Sequence, residues 1–114
     1  MLANNSHVVW IKESVRQFII DEANFWEKLE TGGVLVGYCT DESIIVTNII
    51  GPGPKAKHNS TSFVPDHKFH VKELTLIYEK TDRKEPYLGD WHTHPNSSAY
   101  LSDTDKDTLA RIAK

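Results

Sequence analysis

Apolar residues recur with helical spacing near the start of the chain. Residues 13–29 carry apolar side chains at every third or fourth position, which predicts a helix with Ser14 as its N-cap. The β-prone segment "HVVWIK" at 7–12 predicts a short strand before it. The pair Gly32–Gly33 is expected to end the helix. The predicted inward face of this helix comprises Val15, Phe18, Ile19, Ala23, Trp26 and Leu29.

The two apolar runs that follow have the pattern of strands. The runs "GVLVGYC" and "SIIVTNII" predict a hairpin that turns at "TDE". The first run is apolar on both faces, so we expect it to be a central strand. The next segment, "GPGPKAKHNSTS", is predicted to be a loop because it is rich in proline, glycine and serine.

The second half of the chain predicts two more helices and one more strand. A helix is expected over 66–80, capped by Asp66, and a strand over 87–94, which Pro95 closes. A third helix is expected to begin at Ser102. The predicted inward face of the second helix comprises Phe69, Leu74, Ile77 and Tyr78.

This order of elements predicts the fold class. Helices and strands alternate around what we expect to be one mixed β-sheet flanked by helices, an α/β (α+β) fold in a single domain over residues 1–114. The chain stops in an amphipathic helix, which normally packs under another element. The sequence therefore suggests that a C-terminal piece is missing or separate.

Composition narrows the classes of protein. The chain has 114 residues, with 13 basic and 16 acidic side chains, a balance that argues against a nucleic-acid-binding surface. No apolar run approaches the roughly 18 residues of a membrane span, and the N-terminus lacks the pattern of a signal peptide. The single cysteine, Cys39, cannot form an intrachain disulfide and is expected to be buried. These features predict a cytoplasmic protein.

The segment "GDWHTHPNSSAYLSDTD", residues 89–105, concentrates side chains that bind metals. On a strand His92 and His94 share one face, about 6.6 Å apart at a rise of ~3.3 Å per residue, so they can converge on one ion. Asp105 falls in the first turn of the next predicted helix and can complete a set of two histidines and a carboxylate. Catalytic zinc commonly has three such protein ligands and one water.

Hydrolysis at such a zinc also needs a group that accepts and returns a proton. Glu30 is the candidate, since it stands at a junction of helix and strand beside two glycines, although spacing alone leaves open whether it reaches the metal. Ser102 could donate a hydrogen bond to an oxyanion or act only as a helix N-cap. Asp90 shares the strand face of the histidines, so it is a rival ligand or an outer-sphere partner.

The remaining histidines and aromatic residues have simpler interpretations. His67 and His70 lie three residues apart on the predicted second helix, which by itself is a weak metal signal. His58 and His7 have no motif around them. Trp91 and Tyr87 are predicted to lie in the core, on the strand face opposite the two histidines.

Taken together, the distributed residues resemble a known motif. "ETGGVLVG" with Glu30, then His92-x-His94-Pro95, then Ser102-x-x-Asp105 is similar to the JAMM motif of the MPN-plus metalloprotease family, over residues 8–110. The resemblance implies a cytidine-deaminase-like JAMM/MPN fold and one Zn²⁺ ion. It also implies that His92, His94 and Asp105 bind the metal, that Glu30 is the acid/base and that Ser102 stabilises the oxyanion.

The family resemblance also implies a class of substrate. The phrases "LETGGVLVGY" and "YLGDWHTHP" look most like the short bacterial branch of the family. Members hydrolyse isopeptide or peptide bonds and include deubiquitinases, so the expected substrate is a protein or peptide conjugate with an extended C-terminal tail. We expect no nucleic acid or membrane partner, and leave open a partner subunit or an oligomer. Two alternatives stand: a non-catalytic MPN scaffold, and a metal-dependent hydrolase of a small amide or a cysteine-derived carbonyl compound.

Overall fold

The computed structural model describes residues 8–95 and places a strand before the first helix, as predicted. The elements in this range are β1 (Val8–Ile11), α1 (Glu13–Trp26), β2 (Gly32–Cys39), β3 (Ser43–Ile50), β4 (Lys57–His58), β5 (Phe63–Val64), α2 (His67–Lys80) and β6 (Tyr87–His92). The predicted helix from Ser102 lies outside the described residues. Neither α1 nor α2, the helices of this range, is long and apolar enough to cross a lipid bilayer.

The main sheet has the strand order β1-β3-β2-β6. β2 runs antiparallel to both of its neighbours, whereas β1 runs parallel to β3, so the sheet is mixed. β2 is the central strand that its sequence predicts, and its residues 32–37 are all buried. The predicted α+β class, one mixed sheet flanked by helices, is confirmed.

Each helix covers one face of the sheet, because alternate residues of β2 point to opposite sides. Leu35 faces α1, in a cluster with Val15, Ile19, Ile44, Val46 and Trp91. Val34 and Val36 face α2, in a cluster with Ile50, Phe69, Leu74 and Ile77. Each fully buried side chain of this size contributes about 1.5–3 kcal/mol, so the two clusters hold the helices against the sheet.

One extra residue in β6 changes which side chains share a face. Leu35 pairs with Gly89 and Val36 with Tyr87, so Leu88 is left over as a bulge. Leu88 packs on the α1 side with Trp91, which is 1% exposed, as predicted for a core residue. The prediction that Tyr87 is also in the core is wrong, because the bulge turns it to the α2 side, where it is 51% exposed.

The first helix differs from its prediction at both ends. It ends at Trp26 rather than at residue 29, because Glu27 adopts a positive φ of 40° that cannot continue a helix. Its N-cap is Lys12 rather than Ser14.

Gly32 and Gly33 do not terminate this helix; both lie in β2. A Cβ at Gly32 would collide with the Trp91 carbonyl oxygen, and one at Gly33 with that of Ile50. The neighbouring strands therefore approach β2 more closely than any larger residue would allow.

Three further predictions are corrected by the structure. Cys39 is exposed at the end of β2 rather than buried. Tyr78 is 38% exposed, so it lies at the edge of the α2 contact rather than within it. The predicted loop contains the short strand β4, which pairs with β5 directly after the loop to form a small hairpin.

Asp66 caps α2 as predicted and also fixes the preceding loop. Its carboxylate accepts hydrogen bonds from the backbone N–H groups of Phe69 (3.2 Å) and Lys55 (3.0 Å). The Lys55 bond is the main reason that the pKa of Asp66 lies below its ordinary value of 3.8, since it stabilises the charged form. Gly53, in this loop, has a φ of 95° and packs against the Asp66 side chain.

The cap predicts a pH dependence of stability. Because the pKa of Asp66 is lowered on folding, its contribution is complete above the ordinary value and is lost as the pH falls through the folded value. Asp66→Asn should therefore lower the Tm near neutral pH, and the difference from the native chain should shrink below about pH 4. Thermal unfolding from pH 3 to 7 measures this, with Asp41→Asn in the β2–β3 turn as the control. A pH-independent difference would contradict the role of the charge.

Candidate functional site

A cleft of about 530 Å³ opens on the α2 side of the sheet. β2 and β6 form its floor, α2 and the segment around Phe63 form its walls, and Glu30, Asp90 and His92 all line it. Its apolar wall includes Phe63, Pro65, Val71 and Leu74. The fold therefore brings a carboxylate from before β2 and a histidine from the end of β6 into one cavity.

The two histidines of the His-x-His segment lie side by side. His92 is the last residue of β6, and His94 follows two residues later. Their ring centroids are 4.4 Å apart and the ring planes are at 81°. His92 is half-buried and lines the cleft, and His94 is exposed.

Thr31 and Thr93 connect the segment of Glu30 to the segment of the histidines. The Thr93 N–H donates to the Thr31 carbonyl at 2.9 Å, and the Thr31 N–H donates to Thr93 Oγ1 at 3.2 Å. Both residues are buried, with 0% and 5% of their surfaces exposed. Thr31 follows Glu30 directly and Thr93 stands between His92 and His94, so this pair fixes the backbone of the Glu30 segment relative to that of the histidine segment.

The backbone of Glu30 is held a second time, from the β4–β5 hairpin. Its N–H donates to the Asn59 carbonyl at 2.7 Å, and its own carbonyl lies 2.9 Å from His58 Nδ1. His58 was expected to be an ordinary residue, and its sequence carries no motif that indicates this contact. The two residues are 28 positions apart and meet only through the tertiary fold.

The helix α1 supports the same region through Trp26 and Glu22. The indole of Trp26 stacks on the His58 ring with centroids 3.5 Å apart and planes within 10°. Glu22 Oε1 accepts from Trp26 Nε1 at 3.2 Å and from Thr31 Oγ1 at 3.4 Å. Glu22 thus joins the aromatic stack to the threonine pair.

The structure gives Asp90 and His70 their own hydrogen-bond partners. Asp90 lines the cleft and its carboxylate accepts from the Tyr87 hydroxyl at 3.1 Å. His70 is buried, and its Nε2 lies 2.8 Å from the Gly51 carbonyl, which explains it as a structural residue that ties α2 to the loop. His67 lines the cleft.

Asp105 and Ser102 lie outside the described residues, so their predicted roles stay predictions. Within residues 8–95 no three His, Cys, Asp or Glu side chains gather closely enough to hold a metal ion.

A solved structure shares the fold. The solution structure of protein DSY2949 from Desulfitobacterium hafniense superposes with a TM-score of 0.59, covering 79% of this chain and 59% of that one, at 17% sequence identity. At this identity the likeness concerns the arrangement of helices and strands alone.

The sequence shows the family. The profile of the prokaryotic homologs of the JAB domain matches residues 12–114, and the chain belongs to this family. It is 38% identical to the "Probable metalloprotease y4qB" of Sinorhizobium fredii, over 94% of this chain and 66% of the relative. It is 27% identical to a "CD-NTase/cGAS isopeptidase" of Escherichia coli, over 89% of this chain and 65% of the relative. The chain thus spans just under two thirds of the length of these two relatives, and its predicted resemblance to the JAMM/MPN family is confirmed.

The threonine pair yields a test of how the site is assembled. Thr93→Val keeps the shape of the side chain but leaves the buried Thr31 N–H without its acceptor, which costs about 1–3 kcal/mol. Thr93→Ser keeps the hydroxyl and is the matched control. Denaturant unfolding should show the valine variant clearly less stable than the serine variant. Equal stabilities would show that the hydroxyl does not hold the two segments together.

Proposed function

We propose that this chain is a zinc-dependent hydrolase of peptide or isopeptide bonds, with its site at the cleft between β6 and α2. The observation that carries the proposal is the junction of Thr31 and Thr93, which brings Glu30 and His92 into one cavity with His94 beside them. The names of the two relatives, a probable metalloprotease and an isopeptidase, support the same class of reaction.

The residues fit a zinc ion. The imidazoles of His92 and His94 lie side by side and are of the kind that zinc prefers as ligands, and the cleft that His92 lines leaves access for a substrate. In the proposal His92, His94 and Asp105 hold the metal. When bound, zinc supplies a Lewis acid that polarises a carbonyl and makes water more acidic.

Glu30 performs the proton transfers in this proposal. Glu30 lines the cleft. In the proposal its carboxylate takes a proton from the attacking water and then delivers that proton to the departing amine, so one group acts first as base and then as acid. The Ser102 hydroxyl donates a hydrogen bond to the carbonyl oxygen as that oxygen gains negative charge. The apolar side of the cleft lowers the local dielectric and strengthens both interactions.

The shape of the cleft supports an extended polypeptide as substrate. β6 is an edge strand of the described sheet, and the cleft runs between this strand and the apolar residues of α2. A C-terminal tail of a modifier protein would lie beside the sheet with its backbone hydrogen-bonded as in strand addition. The scissile bond would then join that tail to an amine of a second protein.

Metal binding is the first test. The purified chain should bind about one zinc ion per molecule. His92→Ala and His94→Ala should each weaken binding by more than the roughly 10- to 100-fold that loss of an outer-sphere partner costs. Zinc titration calorimetry measures this, with His67→Ala, a cleft histidine outside the proposed ligand set, as the control. Absence of stoichiometric zinc after reconstitution would favour the scaffold alternative.

Removal of the proposed acid/base is the second test. Glu30→Gln should retain zinc but lose turnover of a fused modifier substrate by about 100-fold or more, because the amide cannot accept the proton. Glu27→Gln, an exposed neighbour three residues earlier, should keep both properties. Cleavage rates and metal content, measured on the same samples, test the acid/base role of Glu30. Full activity in the Glu30 variant would rule out its assigned role.

A further inference from the structure

We propose that His58 is a positioning residue for Glu30, holding the backbone of the acid/base in place through its ring Nδ1–H. The inference rests on the proposed function of Glu30, and it deepens that function by assigning a role to a residue outside the JAMM-like motif. His58 contacts the Glu30 carbonyl rather than the carboxylate, so it acts through the main chain.

The hydrogen bond to Glu30 determines that Nδ1 of the His58 ring carries a proton. A carbonyl oxygen can only accept, so the contact of 2.9 Å between His58 Nδ1 and the Glu30 oxygen requires a proton on Nδ1. The ring is half-buried, and a second aromatic neighbour, Phe63, lies with its centroid 5.2 Å away. With Trp26 stacked on one face, the imidazole has little freedom to rotate and its donor stays directed at Glu30.

The segment before Glu30 needs such an anchor. The helix α1 stops at Trp26, and Glu27 has a positive φ, so Glu30 follows a short irregular connection rather than a continuous helix. The Thr31 peptide is fixed on the strand side by Thr93. The bonds to His58 and Asn59 fix the other side, and together they leave one orientation for the Glu30 peptide groups.

Small displacements of a catalytic group are costly. A shift of about 1 Å in a proton-transferring side chain can reduce the rate by roughly 100-fold. Loss of the His58 donor frees the Glu30 carbonyl to turn toward solvent, and the carboxylate moves with it. The expected effect falls on kcat, because His58 does not line the cleft in which the substrate binds.

Two substitutions separate the donor from the stacked ring. His58→Phe keeps an aromatic ring on Trp26 but has no N–H donor. His58→Asn places an amide N–H₂ at the position of Nδ1 but loses the stack. If positioning is the role, the phenylalanine variant is the more stable of the two yet the slower enzyme, and the asparagine variant is less stable yet keeps more activity.

The experiment combines kinetics with amide hydrogen exchange. In His58→Phe, kcat should fall by about 10- to 100-fold with KM within about twofold of the native value. Exchange of the Glu30 amide should accelerate by about tenfold or more, as expected when a local hydrogen-bonded unit opens more easily. His58→Asn should remain near the native value in both measurements.

Two results would overturn the inference. One is native kcat and native Glu30 exchange in His58→Phe. The other is a loss of kcat that follows the loss of stability in both variants, which would make the role purely structural. The exchange comparison needs no substrate, so a native chain that cleaves nothing would refute the proposed function while the exchange data still decide whether His58 holds Glu30.

Discussion

The reciprocal hydrogen bonds between Thr31 and Thr93 are the constraint on which the arrangement of the site depends. They extend the β2–β6 pairing by one residue at the point where both strands stop being regular. Both threonines are buried, so their polar groups must find partners inside the protein or cost stability. Because the Thr31 and Thr93 backbones are joined by these two bonds, the register of the two strands sets the position of the Glu30 backbone relative to the histidine segment.

A second set of contacts stabilises the Glu30–Thr31 segment from outside the main sheet. Glu22 and Trp26 of α1 reach across to Thr31 and His58, and the β4–β5 hairpin holds the Glu30 backbone. Two separate parts of the fold therefore support the Glu30–Thr31 segment. Local unfolding of either would loosen the Glu30 backbone, which couples the proposed chemistry to the stability of α1 and of the hairpin.

The sequence predicted the parts of the fold that depend on strong local patterns. The unbroken apolar run of β2 identified the central strand, and Asp66 before an amphipathic segment identified the start of α2. The local pattern gave wrong predictions where a tertiary contact or a backbone irregularity determines the structure. The positive φ at Glu27 ends α1 before residue 29, and the bulge at Leu88 moves Tyr87 to the other face of the sheet. Within the site, a sequence motif indicated His92, His94 and Glu30. The contacts of His58 join segments that are distant in the sequence, so no residue spacing could predict them.

The assignment of the two sheet faces to different helices has a consequence for how such a protein diversifies. Trp91 and its cluster occupy the α1 face, whereas the cleft occupies the α2 face, although both are built on the same two strands. Val71 and Tyr87 line the cleft, yet both are about half exposed and neither belongs to the cluster around Trp91. Such positions can therefore vary between relatives while the buried clusters on both faces continue to stabilise the fold.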